Sequence, residues 1–277
     1  MEVGIFIFLT DYCIAVDELA VALEERGFES MFQPEHTHIP VSRESPFPGG
    51  GDLPREYSHT YDPFVSLSIA AAVTKKLKVG TGICLIPQRE PIQTANSVAS
   101  LDRLSSGRFL FGIGGGWNKE EMNNHGAHYK TRFKLLRERV LAMQQIWREE
   151  EASFHGEFVN FDPIWSHPKP IQKPYPPILL GGETDYTLAR VAEFCDGWIP
   201  RGSSFQPARD MARLRKAADV VGRNADELSV TVFRAPPEKA ALAQYAEHGV
   251  ERALLGVPPL PRDEVLALLD DYAKLLD

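Results

Sequence analysis

Residues 77–117, LKVGTGICLIPQREPIQTANSVASLDRLSSGRFLFGIGGGW, decide the fold. They read as strand, helix, strand. Residues 77–85 form a short apolar run broken by Gly80 and Gly82. Pro91 stands at a favoured first helical position. Ile92, Ala95, Val98 and Leu101 then recur at spacings of three and four, a helical face. Residues 108–114 are a second apolar run, ending in a glycine cluster. Neither run alternates apolar with polar, which is how strands covered on both faces read. Such strands joined by a helix imply a parallel sheet.

The same unit repeats in both directions. Further strands are expected at 3–9, 30–35, 177–181, 196–199, 228–233 and 251–256. A helix over about 14–26 presents Val16, Leu19, Ala20 and Leu23. The longest carries Phe133, Leu136, Val140, Met143 and Trp147, and the last, over about 263–276, carries Val265, Leu268, Leu269, Tyr272 and Leu276. Eight strands with eight helices over 277 residues predict a single (β/α)8 TIM barrel spanning 1–277; an open doubly wound sheet is the alternative. Two segments break the alternation. Residues 37–62, rich in Pro, Gly and Ser, form a long loop after the second strand and are expected to act as a lid. Residues 152–176 hold a hairpin before the fifth strand, with its turn at His155-Gly156.

A net charge of −8 argues against a nucleic-acid partner. No run approaches the roughly 18 apolar residues of a membrane span. Cys13, Cys84 and Cys195 are widely separated, which suits a reducing cytoplasm.

Active sites of such barrels form at the C-terminal strand ends. The second strand runs into Pro34-Glu35-His36-Thr37-His38, the densest cluster of titratable groups. It reads as a metal pair, as a polar pair facing a cofactor, or as a capped loop start. The fifth, sixth and eighth strands supply no His or carboxylate at their ends, so a metal is not expected and the cofactor-facing pair is preferred. Gly80 and Gly82 mark a bulge or a close ligand approach. Gly114-Gly115-Gly116 leaves room for a flat ring or a chain of ligand atoms. Gly181-Gly182-Glu183-Thr184 leads into a helix whose amide end suits phosphate. Thr184 or Asp185 capping that helix is the alternative. Arg201 is the nearest cation expected to complete an anion site.

Residues 77–117, the later run PPILLGGETDYTLARVAEFCDGWIP and Pro34-Glu35-His36 together resemble the luciferase-like monooxygenases, over nearly the whole chain. Within them the chain is most similar to the branch that uses the deazaflavin coenzyme F420. The resemblance implies a cis peptide between Gly82 and Ile83 against the cofactor ring. It places Glu35 and His36 near the reacting face and Gly115 and Gly116 beside the ribityl chain. Gly182, Glu183, Thr184 and Thr187 would bracket the phosphate. Where glucose-6-phosphate dehydrogenases of this family carry a carboxylate after the strand-four glycines, this chain has Trp117, so sugar-phosphate oxidation is not expected.

The expected function is F420-dependent hydride transfer to or from a small organic substrate. His36 is the general acid or base, because an imidazole ionises near neutral pH. The rivals are an FMN-dependent monooxygenase, a non-catalytic F420- or flavin-binding protein, and a hydrolase using His36 and His38. Family members often pair, so a homodimer is expected.

Overall fold

The computed structural model describes residues 1–276. Eight parallel strand positions alternate with helices. The order is β1 (Glu2–Ile7), α1 (Val16–Glu25), β2 (Ser30–Gln33), α2 (Pro63–Val73), β3 (Lys78–Thr81), β4 (Cys84–Leu85), α3 (Pro91–Leu104) and β5 (Phe109–Gly114). There follow α4 (Lys119–Asn124), α5 (Arg132–Arg148), β6 (Ala152–His155), β7 (Asn160–Ile164), β8 (Ile178–Gly181) and α6 (Asp185–Phe194). Last come β9 (Gly197–Ile199), α7 (Pro207–Val220), β10 (Ser229–Ala235), α8 (Lys239–Glu247), β11 (Arg252–Val257) and α9 (Arg262–Ala273).

The sheet runs β3-β2-β1-β11-β10-β9-β8-β5, and β5 pairs back to β3. That last pairing, Val79 with Phe109 and Gly80 with Leu110, closes the barrel and removes the open sheet from consideration. The third expected strand, 77–85, is not continuous. It breaks at Gly82-Ile83 into β3 and β4, both of which pair with β5. The periodic helix residues Leu19, Leu23, Val98, Leu136, Val140, Val265 and Leu269 lie in the layer between strands and helices. Inside the barrel sit Phe6, Phe8, Phe32, Leu110, Leu179, Ile199 and Leu254.

The hairpin before β8 forms, but its connection differs from the expected turn. His155 pairs with Asn160, so residues 156–159 make a four-residue loop. Glu138 of α5 accepts from the amides of Glu157, Phe158 and Val159 and so holds the longer loop. Among the described residues no helix is long and apolar enough to cross a membrane.

The floor of the barrel is charged. Arg252 at the start of β11 is 1 % exposed. Its guanidinium donates to both oxygens of Glu29 at 2.7 Å and to Thr231 on β10. Burial pushes the Glu29 carboxyl up, but the hydrogen bond and charge of Arg252 outweigh it and hold the pKa at about 2.

Candidate functional site

At the opposite end, the strand exits build the mouth. Gly82 and Ile83 are joined by a cis peptide bond, as the resemblance implies. Gly82 lies against Phe32 and Phe6, while the Ile83 side chain occupies the space left by Gly114 and Gly181. A Cβ on Gly114 would stand 1.9 Å from Ile83 Cδ1, so only glycine fits there.

His36 follows β2 and is 8 % exposed. Its Nδ1 lies 2.8 Å from Glu121 Oε2, and Glu121 is fully buried in α4. The Glu121 carboxylate there accepts from Nδ1–H, which leaves Nε2 as the acceptor nitrogen. The second Glu121 oxygen has no partner among the described residues. The His36 ring is flanked by Tyr57 at 5.2 Å and Trp117 at 5.9 Å. His38 takes different partners: Asn124, and the Thr37 hydroxyl that also meets His125. The two imidazoles that a strand would aim to one side are therefore engaged separately.

Glu35 is buried, and both its oxygens are taken. One accepts from the Leu85 amide, and the other pairs with Arg89, which also holds Asp62. Expected beside the reacting face, Glu35 instead ties the β2 exit to β4. Asp62 in turn caps α2 through the amides of Phe64 and Val65.

The long loop covers the mouth. Phe47 and Tyr57 pack on each other at 5.2 Å, and each meets Trp117. Ser45 is buried and bonded to Lys119 and Glu120. Trp117 therefore forms an aromatic wall shared with this loop.

The remaining site residues lie along one side of the mouth. Gly115 accommodates the Phe133 ring, which a Cβ would meet at 2.7 Å. Gly116 has φ +71, a conformation suited to glycine, and faces the Gln88 side chain. Gln88 is 8 % exposed, yet neither its amide N nor its amide O has a partner. A buried amide left unpaired on both atoms marks a place for a polar partner, a water or a ligand. Gly182 packs on Thr187, whose hydroxyl lies 3.1 Å from that of Thr184. Thr184 also accepts from the Thr187 amide as the cap of α6, so its capping role is present.

Glu183 and Arg201 differ from expectation. Arg201 forms a two-pronged pair with Glu183 at 2.6 Å, and that hydrogen bond holds the Glu183 carboxyl below its usual range. Both charges are thus already paired with each other in this structure. Arg132 and Arg190 have no carboxylate partner among the described residues, and both stack on Phe133, at 4.4 and 4.3 Å. Burial, then the Arg132 charge, lowers the Arg190 pKa. Sequence reading missed Glu121, Gln88, Arg132 and Arg190. Arg190, one helical turn beyond Thr187, carried the one local signal.

The sequence profile of the luciferase-like monooxygenase family matches residues 10–274, and the chain belongs to that family. It is 38% identical over 281 residues to an uncharacterized protein of Mycobacterium tuberculosis, covering 100% of this chain and 99% of the relative. An F420-dependent hydroxymycolic acid dehydrogenase of Mycobacterium tuberculosis is 26% identical over 87% of this chain and 63% of its own. An FMNH2-dependent dimethylsulfone monooxygenase of Pseudomonas putida is 28% identical over 58% and 45%. Among solved structures, monooxygenase RslO1 from Streptomyces bottropensis superposes with TM-score 0.80 at 20% identity, covering 100% and 98% of the two chains. An F420-dependent secondary alcohol dehydrogenase holding an F420-acetone adduct gives 0.79 at 16%, covering 99% and 97%. Both share the barrel.

Proposed function

We propose that this chain is an F420-dependent oxidoreductase acting on a small organic substrate. The observation that carries the reading is the side of the mouth formed by Gln88, Gly115, Gly116 and the carboxylate-free pair Arg132 and Arg190. The residues fit the group. Gln88 would bond polyol hydroxyls across Gly116, and Gly182, Thr184 and Thr187 would face the phosphate. Two guanidiniums on one ring suit more than one anionic group, and F420 carries carboxylates beyond its phosphate, whereas FMN ends there. When bound, F420 would supply or accept the hydride at its ring.

The chain's own residues do the rest. Glu121 fixes the His36 tautomer, and His36 Nε2 gives or takes the substrate proton. Trp117, Tyr57 and Phe47 exclude water over that imidazole. Parallel titration of the purified protein with F420 and FMN tests the reading. We expect F420 to bind at about micromolar Kd, and FMN at least about tenfold more weakly. The converse order would favour the FMN-dependent monooxygenase, the activity of the Pseudomonas relative. Tight F420 binding without turnover would favour a carrier protein, and binding of neither would end the proposal.

The same reading pairs two copies of the chain in the cytoplasm, where its three free cysteines suit a reducing medium. α2, PFVSLSIAAAV, is apolar on all sides, and Val65, Ile69 and Val73 are exposed at 63, 45 and 43 %. A helix apolar all round is normally covered. Sedimentation should give a dimer that Val65→Asp with Ile69→Asp converts to a folded monomer; a monomeric parent protein would refute this.

A further inference from the structure

β10 contains an irregularity that neither the barrel nor the cofactor wall requires. Val230 and Val232 face the helix layer, and Phe233 faces the barrel interior. Strand alternation assigns the next residue, Arg234, to the helix layer. The register instead slips. Phe233 pairs with Leu254 and Ala235 with Leu255, so Arg234 is the unpaired extra residue of a bulge. Ala235 then resumes the outward position. Arg234 has φ +48, in the left-handed region that side chains rarely adopt. Bulges of this kind re-aim a side chain, and such backbone outliers gather at ligand sites.

The re-aimed side chain lies over the mouth. Its Cζ is 5.5 Å from the Phe6 ring centroid and 5.6 Å from that of Phe233. Phe6 also touches Gly82 on its other side, so one aromatic ring separates the guanidinium from the Gly82-Ile83 step. Two glycines make the space. A Cβ on Gly202 would stand 2.5 Å from the Arg234 carbonyl oxygen, and one on Gly256 would stand 3.5 Å from Arg234 Cγ. Arg201 and Arg252 are held by Glu183 and Glu29. Arg234 has neither a carboxylate partner nor a side-chain hydrogen bond among the described residues. It borders a cleft of about 500 Å³ walled by Phe8, Tyr272, Pro237 and Pro258. Glu56 also lines this cleft, outside ion-pair distance of Arg234.

We infer that Arg234 is the receptor for an anionic group at the far end of the substrate, so that this barrel acts on small apolar molecules carrying a carboxylate or sulfonate. The guanidinium fork matches either oxyanion through two hydrogen bonds. The rings of Phe6, Phe8 and Phe233 take the apolar part. The inference rests on the proposed hydride transfer only for which carbon reacts; the anion site stands on Arg234 itself.

Calorimetric titration with hexanoate, hexanesulfonate and hexan-1-ol tests it, on the F420-loaded protein and on the protein alone. At least one of the two anions should bind at least about tenfold more tightly than the alcohol, the difference a charge-assisted pair supplies. Arg234→Met, which keeps the apolar stem, should abolish that preference, and Arg234→Lys should keep part of it. F420 affinity should stay unchanged in both. Equal binding of all three probes, or a preference that survives Arg234→Met, would overturn the inference. So would loss of F420 affinity in Arg234→Met, because the guanidinium would then belong to the cofactor. Failure of F420 to bind the parent protein would sink the cofactor reading alone. Hexanoate and hexanesulfonate binding to the protein without it still decides the role of Arg234.

Discussion

Replacing His36 with alanine should lower turnover by about 10²–10⁴-fold, the contribution of a positioned acid or base. F420 affinity should hardly change, because in the proposed reading Gln88 and the glycine loop, not the imidazole, would hold the cofactor chain. The Glu121→Gln variant separates chemistry from packing. Its amide fills the same buried space, but an amide N–H donated to Nδ1 would move the ring proton to Nε2 and remove the basic atom. Turnover in Glu121→Gln should therefore fall nearly as far as in His36→Ala, with the fold intact. Single-turnover oxidation of the reduced cofactor reads this out: the rate should fall in both variants. A Glu121→Gln enzyme with the parent's rate would refute the arrangement.

The largest stability effect is expected at the barrel floor. Glu29→Ala leaves the buried Arg252 guanidinium with only Thr231 and the exposed Glu251, and breaking a buried pair costs up to about 3–5 kcal/mol. Thermal unfolding should drop by roughly 6–15 °C for a chain of this size. The pair also sets an acid limit. Glu29 binds its proton less readily in the folded chain, at about 2 against an ordinary 4.5. Its contribution is complete above about pH 4.5, where both states are ionised. Below that the unfolded chain takes up the proton first, and about 3 kcal/mol is lost as pH falls towards 2. Denaturant titrations of parent and Glu29→Ala should converge over that window; a gap that stays constant from pH 5 to pH 2 would refute the assignment.

The barrel was legible because both-face burial makes its strands uniformly apolar and its helices periodic. Val98, Leu136, Val140 and Leu269 sit where their spacing places them. The glycines of the mouth were legible for a related reason: Gly114 meets a close-packing demand and Gly116 a backbone one. The charged groups were not. Lys119-Glu120-Glu121 reads as an acidic first turn of an exposed helix, and only the placement of α4 buries Glu121 against His36. Glu35 and Arg201 look free in the sequence because their partners, Arg89 and Glu183, are 54 and 18 residues away. Arg234 escaped notice because alternation, the rule that located the strand, points it the wrong way.

The ion cluster of Glu35, Arg89 and Asp62 bears on how anything reaches the site. Arg89 grips Glu35 at one foot of the long loop and Asp62 at the other, and Asp62 is already fastened to the start of α2. The loop is thus an arch on fixed abutments. With both ends held, an opening of the loop would have to raise its crown, where Phe47 and Tyr57 rest on Trp117. The height to which that crown rises, with both ends clamped, sets an upper size for what can be admitted to the barrel.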